Sequence, residues 1–373
     1  MEMFDVVILG AGIVGAACAR ECALAGLRVG IVEPAVPGGA ASAAGMGHLV
    51  VIDDSPAQLA LSHYSRDLWR GLSSALPSRV EYQESGTLWV AANAEEMAEV
   101  HSKRLTHSRL GIASEVLDEL ALREAEPNLR QGLPGALRVP NDGVIYPPAA
   151  VAYFLSSAEQ HGARLIRGSA AVRAGKGEVV LADGTRLGTG RIVIATGIDV
   201  RLCPWLKVQP RKGHLVITDR YPGFAHHQIV ELGYLKSTQN LAADSVAFNL
   251  QPRKTGQLLI GSSRQYGELA GKADAEILRT MLDRAVEYVP ALRSLSVVRV
   301  WTGFRAATSD KLPLIGPTPD ESVLVAMGFE GLGITNAFGA ARLILHHLTG
   351  THVPLDPAPF LPTRTRAIEA QYA

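Results

Sequence analysis

Gly10, Gly12 and Gly15 form a Gly-x-Gly-x-x-Gly pattern at the start of the chain, and Glu33 follows it at the end of the next apolar run. These residue types at this spacing suit a pyrophosphate. The first glycine makes a tight turn, the second lets backbone approach the phosphates, and the third lets a helix pack closely on a strand. The phosphates would meet the positive end of the helix, including the N–H groups around Ile13 and Val14. Glu33 can accept hydrogen bonds from ribose hydroxyls. No Lys or Arg follows it closely, which disfavours the 2′-phosphate of NADP. The alternative is a strand-to-helix turn that binds nothing.

The flanking elements decide between these readings. Phe4 to Leu9 is an apolar run of strand length, Ala16 to Ala25 is rich in helix formers, and Gly26 stops it. Leu27 to Val32 reads as a second strand, which completes a βαβ unit. A second small-residue segment, Pro37 to His48, suits backbone threaded under a bulky ligand, although a flexible loop would share its composition. Ser55-Pro56 opens a helix with an N-cap and an N1 proline. Tyr82 to Ala91 reads as strands, and helices are expected from about 94 to 109 and up to Glu126-Pro127. Another helix runs from Tyr146-Pro147-Pro148 to His161-Gly162, followed by a meander around the Asp183-Gly184 turn and a buried strand at Arg191 to Gly197. Residues 209–300 are strand-rich, with one amphipathic helix from Asp274 to Pro290. The chain then repeats the order strand (322–327), glycine-rich turn (328–333) and apolar helix to Gly350, a second potential dipole site.

Composition narrows the function classes. The 373 residues are 47% hydrophobic and 19% charged, with 36 Lys plus Arg against 36 Asp plus Glu. Length favours two domains. Zero net charge gives no electrostatic reason to expect nucleic acid or an anionic membrane. Cys18, Cys22 and Cys203 make neither a disulfide framework nor an iron–sulfur or zinc set, and they read as small core residues in a reducing compartment. The longest uncharged stretch, Val6 to Ala19, is too short and too glycine-broken for a membrane span. The expected location is the cytoplasm, either free or peripheral to the inner membrane.

The order Gly10–Gly15 with Glu33, Gly45-Met46, Ile194-Ala-Thr-Gly197, Trp301-Thr-Gly-Phe-Arg305, Leu312-Pro-Leu-Ile-Gly316 and Gly328–Thr335 resembles the D-amino-acid oxidase and glycine oxidase family of flavoproteins over nearly the whole chain. The segment Ala44 to Gln58 looks most like the flavin subunit of bacterial D-hydroxyproline dehydrogenases. The resemblance implies an α/β protein with a glutathione-reductase-like FAD-binding Rossmann domain and an α+β substrate domain built on a large antiparallel sheet. The FAD domain would comprise 1–80, 140–208 and 301–373, and the substrate domain 81–139 and 209–300. It also implies oxidation of the C–N bond of an amino or imino acid by hydride transfer to non-covalently bound FAD.

Residue roles follow from the same resemblance. Arg305 matches the arginine that grips the substrate carboxylate, and guanidinium is the natural bidentate partner for that group. Ala41, Ser42, Gly45, Met46 and Gly47 should meet the flavin, the backbone of Val172 the adenine, and Ala195, Thr196 and Gly197 the cofactor. Thr335 and the backbone of Gly331, Leu332, Gly333 and Ile334 should lie at the flavin pyrimidine edge, where a helix N-terminus favours negative charge. Asn249, His48 and Tyr266 are further catalytic candidates, with His214 and Arg264 weaker ones. Asn249 stands where glycine oxidases have a tyrosine, Gly331 where they have a second arginine, and Leu259 where monomeric sarcosine oxidase has a lysine.

The leading reading is a dehydrogenase for a D-amino or cyclic imino acid of the D-hydroxyproline or D-proline type that passes electrons to a quinone or to an iron–sulfur partner subunit. A glycine or sarcosine oxidase making peroxide is the alternative. The first motif alone also admits an NAD enzyme, and a non-catalytic flavoprotein scaffold within an oligomer or complex is a further class.

Overall fold

The computed structural model describes residues 2–53, 55–233, 244–267 and 269–364. Asp54 of the 44–58 segment and residues 365–373 of the last expected domain segment lie outside the described residues.

The N-terminal unit forms as its pattern dictates. Strand β1 (Glu2–Leu9), helix α1 (Ile13–Leu24) and strand β2 (Val29–Glu33) make a parallel βαβ unit in which Val6 pairs with Val29 and Leu9 with Val32. Val6, Val7 and Ile8 are fully buried, as expected of a parallel strand covered on both faces. The sheet order is β17 (Leu314–Pro317), β18 (Val323–Met327), β11 (Arg186–Ile194), β1, β2 and β8 (Arg164–Arg167). Strands β9 (Ala171–Gly175) and β10 (Glu178–Leu181) extend it as an antiparallel meander on β11. The meander strand and the buried strand expected separately around 185 and 191 are thus one strand.

Helix α3 (Pro56–Leu72) packs on α8 (Gly333–Thr349), and α6 (Pro147–Gln160) and α8 pack against α1 over one face of this sheet. Alanines and cysteines let α1 approach them closely. Ala16, Ala17, Cys18, Ala19 and Cys22 are all at most 1% exposed. Ser55 Oγ accepts the Gln58 N–H at 3.3 Å, and Gly350 ends α8 with φ at 76°.

The second sheet has the order β16 (Val297–Ala307), β12 (Gln209–Arg220), β15 (Gln257–Arg264), β14 (Ser245–Pro252), β13 (Gln228–Glu231), β4 (Thr87–Ala91), β6 (Gly135–Val139) and β5 (Glu115–Asp118). Neighbours are antiparallel except β13 and β4, which pair in parallel. The sheet is therefore mixed rather than wholly antiparallel. Helix α4 (Ala94–Arg109) and helix α5 (Glu119–Ala125) flank its far end, and α7 (Ala275–Tyr288) covers β14 and β15 through Met281, Ala285 and Tyr288. Tyr288 stacks on Phe248 with ring centroids 4.8 Å apart.

Two details depart from the sequence reading. Only Thr87–Ala91 of the 82–91 stretch is a strand, and Gln83 makes a single bridge to Val144. All of β16 belongs to the second sheet, so the stretch 301–307 sits with the strands before it, not with the C-terminal unit. Short strands β3 (His48–Leu49) and β7 (Gly143–Val144) pair with each other, and the four-residue helix α2 (Ala41–Ala44) lies before β3. No helix among the described residues is long and apolar enough to cross a membrane.

Candidate active site

The glycines of the first turn are held by backbone approach. Gly10 has φ at 101°, and a Cβ there would lie 2.5 Å from the Ala195 carbonyl oxygen. A Cβ on Gly15 would lie 2.0 Å from the Gly10 carbonyl oxygen, so Gly15 packs helix against turn and does not itself face the cleft. Gly12 caps α1 without a side chain, and Ser42 Oγ supplies the missing acceptor to the Ile13 N–H at 2.9 Å. Glu33 closes β2 with its carboxylate fixed by two N–H groups, those of Ala11 and Ala35, each at 2.9 Å.

These residues open onto a cleft of about 600 Å³ that runs from the parallel sheet to the second sheet. Gly10, Gly12, Ile13, Val14 and Glu33 line one part of it. Ala41, Ser42, Gly45, Met46 and Gly47 line its middle, with Ala195, Thr196 and Gly197 opposite. Gly331, Gly333 and Ile334 reach it from the N-terminus of α8. Besides Gly15, three expected residues do not line it. Val172 is 58% exposed, and Ala170 and Ala171 form the wall there instead. The Leu332 side chain packs against a separate apolar cluster that includes Val50 and Val51. Thr335 is buried, donating its hydroxyl to the His48 carbonyl at 2.9 Å and accepting the Val50 N–H at 3.3 Å, so it ties α8 to β3 from behind.

The second sheet closes the other part. Arg305 lines the cleft from β16 and donates from Nη1 to the Ser263 carbonyl at 2.9 Å. Its guanidinium lies over Gly213, where a Cβ would come within 2.5 Å of Nη1. Gly331 stands beside it, its Cβ position 3.9 Å from Arg305 Cδ and otherwise open. Gly303 lets β16 meet α2, since a Cβ there would be 2.4 Å from that of Ala44, and Trp301 Nε1 donates to the Ala44 carbonyl at 3.2 Å. The strand that carries the arginine is thus tied to α2.

Behind Arg305 sits a charge cluster. Glu330, in the left-handed region with φ at 50°, meets Arg211 directly, and Arg264 Nε lies 3.9 Å away. Burial would push the Glu330 carboxyl up, yet Arg264, Arg211 and Arg305 outweigh it and hold the group below the usual range. The Tyr266 ring covers Arg211, with the guanidinium carbon 4.9 Å from the ring centre. Tyr266 therefore backs the cluster rather than lining the cleft, as does Arg264. His214 is structural too. It contacts Ser263 Oγ at 2.9 Å and accepts the Asp274 N–H at 2.9 Å, at the start of α7.

His48 and Asn249 do meet in the cleft wall. Asn249 Nδ2 lies 3.0 Å from His48 Nε2, and His48 Nδ1 meets Gln228 Oε1. Burial pushes the imidazole down to about 4, so it is neutral near pH 7.

Two lining or supporting residues, Gln228 and Ser262, carry no sequence signal, whereas Gly213 and Glu330 lie in segments expected near the site. Gly213 faces Gly303 across β12 and β16, a pairing visible only once the strands are in register. Glu330 stood in a glycine-rich turn, which could have marked it as a charged residue at a constrained place.

The comparisons with known proteins agree with this geometry. A family model described as FAD dependent oxidoreductase (DAO) matches residues 5–346. The glycine oxidase of Pseudomonas aeruginosa is 27% identical over 394 residues, covering 96% of this chain and 98% of its own. A D-amino acid dehydrogenase of Methylobacterium nodulans is 29% identical over 327 residues, covering 81% and 73%. The crystal structure of glycine oxidase from Geobacillus kaustophilus superposes with a TM-score of 0.87 at 26% identity, covering 98% and 99%. The chain belongs to the DAO family of FAD-dependent oxidoreductases.

Proposed function

We propose that this chain oxidises the C–N bond of a D-configured cyclic imino acid of the proline or hydroxyproline type and passes the electrons to an acceptor other than NAD(P). The observation that carries the reading is Arg305, a guanidinium fixed in the wall of a cleft that the apolar side chains of Met46 and Leu215 also line. A carboxylate recognised by that fork beside an apolar surface describes a small amino or imino acid.

The residues present fit FAD. The Cβ position of Gly12 meets only Ser42 Oγ, at 3.4 Å, and that of Gly197 is open, so both leave room for a ligand against bare backbone. Glu33 is positioned for ribose, and Gly331 to Ile334 for the far end of the cofactor. Bound FAD supplies the hydride acceptor. Cys18, Cys22 and Cys203 are buried away from the cleft, which supports non-covalent attachment. We take 301–307 with the substrate unit and 1–80, 140–208 and the remainder of the C-terminal segment with the FAD unit.

The protein residues then do three things. Arg305 holds the carboxylate and so fixes the position of the neighbouring C–H. Met46 and Leu215 keep water from the reacting carbon. Glu330 pairs with Arg211 and lies near Arg264, and Arg305 is the cation of this cluster that lines the cleft. The neutral substrate loses a hydride from carbon and a proton from nitrogen, the proton passing to solvent. The resulting cyclic imine persists, or takes up water and opens to a single chain that carries both the keto acid and the amine.

A second reading is an oxidase that hands the electrons to oxygen and makes peroxide. It is favoured by the glycine oxidases among the relatives. Leu259, packed with Met46 and Leu215 where sarcosine oxidase has a lysine, favours the dehydrogenase. For the dehydrogenase, a quinone or an iron–sulfur subunit is the proposed acceptor. The test supplies the FAD-loaded protein with D-hydroxyproline, D-proline, glycine and sarcosine and follows dye reduction and peroxide in parallel. Dye reduction by the cyclic D-acids without matching peroxide is expected. Stoichiometric peroxide from glycine or sarcosine would establish the second reading instead.

A further inference from the structure

We propose that Asn249 Oδ1 is the acceptor for the substrate amine N–H, held in that orientation by a hydrogen-bond chain of fixed polarity running from the Gly143 carbonyl through Gln228 and His48. The proposal rests on the amino-acid reading of the cleft and assigns the group that reads the nitrogen.

The chain starts at an atom whose role is unambiguous. The Gly143 carbonyl can only accept, and Gln228 Nε2 lies 2.9 Å from it, with Thr87 Oγ1 3.2 Å away. Gln228 is fully buried, so its amide has one orientation, with Oε1 turned to His48 Nδ1. An amide oxygen can only accept, so Nδ1 carries the proton and Nε2 presents a lone pair. The 3.0 Å contact from Asn249 is therefore a donation from Nδ2, which turns Oδ1 the other way. Any reversal of this order sets two acceptors or two donors face to face.

That last atom has no partner among the described residues. Asn249 is 5% exposed, its Oδ1 is buried without a hydrogen bond, and the residue lines the cleft. A buried acceptor left unpaired is unfavourable until a donor arrives. The neutral amine of an imino acid has one N–H to give, and its lone pair then remains free to drive hydride loss. An uncharged amide also lacks the pull toward the ammonium form that a carboxylate would exert. Ser262 Oγ, unpartnered in the same wall, can donate or accept and so does not set this polarity. Gln228 and His48 act through Asn249 and are positioning residues.

Two planar probes of the same shape separate the possibilities. Pyrrole-2-carboxylate offers an N–H where furan-2-carboxylate offers a ring oxygen. Their dissociation constants are read from the absorbance change of the FAD-loaded enzyme. The wild type is expected to bind the pyrrole about tenfold more tightly. Asn249→Leu should bring the ratio to near one, and His48→Phe should lower it while affinity for the furan holds. Arg305→Ala should weaken both probes alike. Arg305-dependent binding with a wild-type ratio of one or less overturns the proposal alone, as does a ratio unchanged in Asn249→Leu. Binding of neither probe, or binding indifferent to Arg305→Ala, removes the amino-acid reading and the proposal with it. A wild-type ratio of one or less overturns the proposal whether or not a variant folds, and Asn249→Ala, which should likewise bring the ratio to near one, replaces Asn249→Leu if that variant fails to fold.

Discussion

The guanidinium of Arg305 rests on the bare backbone of Gly213, with Nη1 and Nη2 at 2.5 and 2.8 Å from where a Cβ would stand. The two residues lie on adjacent strands, and the arginine reaches diagonally past Arg211, its direct cross-strand partner. A methyl group at 213 must displace the fork. Gly213→Ala is expected to raise KM for the amino-acid substrate about tenfold, the scale of one charge-assisted hydrogen bond, while flavin content stays at the wild-type level. Steady-state kinetics with a flavin-to-protein ratio checks both halves.

Glu33 faces the cleft with both carboxylate oxygens already oriented by the Ala11 and Ala35 N–H groups. Such pre-orientation means that a ribose hydroxyl meets a fixed acceptor. Glu33→Ala should weaken FAD binding by about tenfold or more, since it removes an acceptor from bound cofactor and from the turn at once. Fluorescence titration of the flavin-free protein measures this, and acid precipitation should leave the released flavin in the supernatant.

How much of this was legible from sequence alone depends on the range of the interactions. The Gly10–Gly15 turn, Glu33, α4 and α7 rest on contacts within one unit or one helix period, and the structure has them where the pattern puts them. Arg305, His48 and Asn249 were candidates and all three line the cleft. Tyr266 was also a candidate, yet its ring covers Arg211. Nothing local distinguishes an aromatic that touches substrate from one that shields a cation. Gln228 was invisible because its role is set by Gly143, 85 residues away. The parallel pairing of β13 with β4 and the placement of 301–307 in the second sheet were hidden for the same reason. Strand alternation tells which face is buried, not which strand lies alongside.

Thr335 turns its hydroxyl to β3, bonding both the His48 carbonyl and the Val50 N–H. Thr335→Val keeps the shape and leaves a buried carbonyl and N–H unpaired. The expected loss is about 1–3 kcal/mol in denaturant unfolding. Activity should fall less than stability, because the side chain is buried behind the cleft wall.

Glu330 carries a pH signature. Its folded carboxyl titrates below the unfolded value of about 4.3, because Arg264, Arg211 and Arg305 outweigh burial. The unfolded chain then binds the proton first as pH falls. The stabilisation is complete above the unfolded value and is lost as pH drops through the folded one. Glu330→Gln should reduce stability by about 3 kcal/mol at pH 7, leaving buried Arg211 unpaired, and the difference from wild type should shrink in acid. Thermal unfolding from pH 7 to pH 3 follows this directly.

The central claim is that an amino acid anchored by Arg305 reduces flavin held in the same cleft. Anaerobic mixing of the FAD-loaded protein with D-hydroxyproline or D-proline tests it in one cuvette. The yellow absorbance should bleach in the wild type and persist in Arg305→Ala, slowed by about a hundredfold or more as the bidentate carboxylate contact is lost. Bleaching at an equal rate in both proteins, or a wild type that stays yellow with every amino and imino acid offered, would contradict the account.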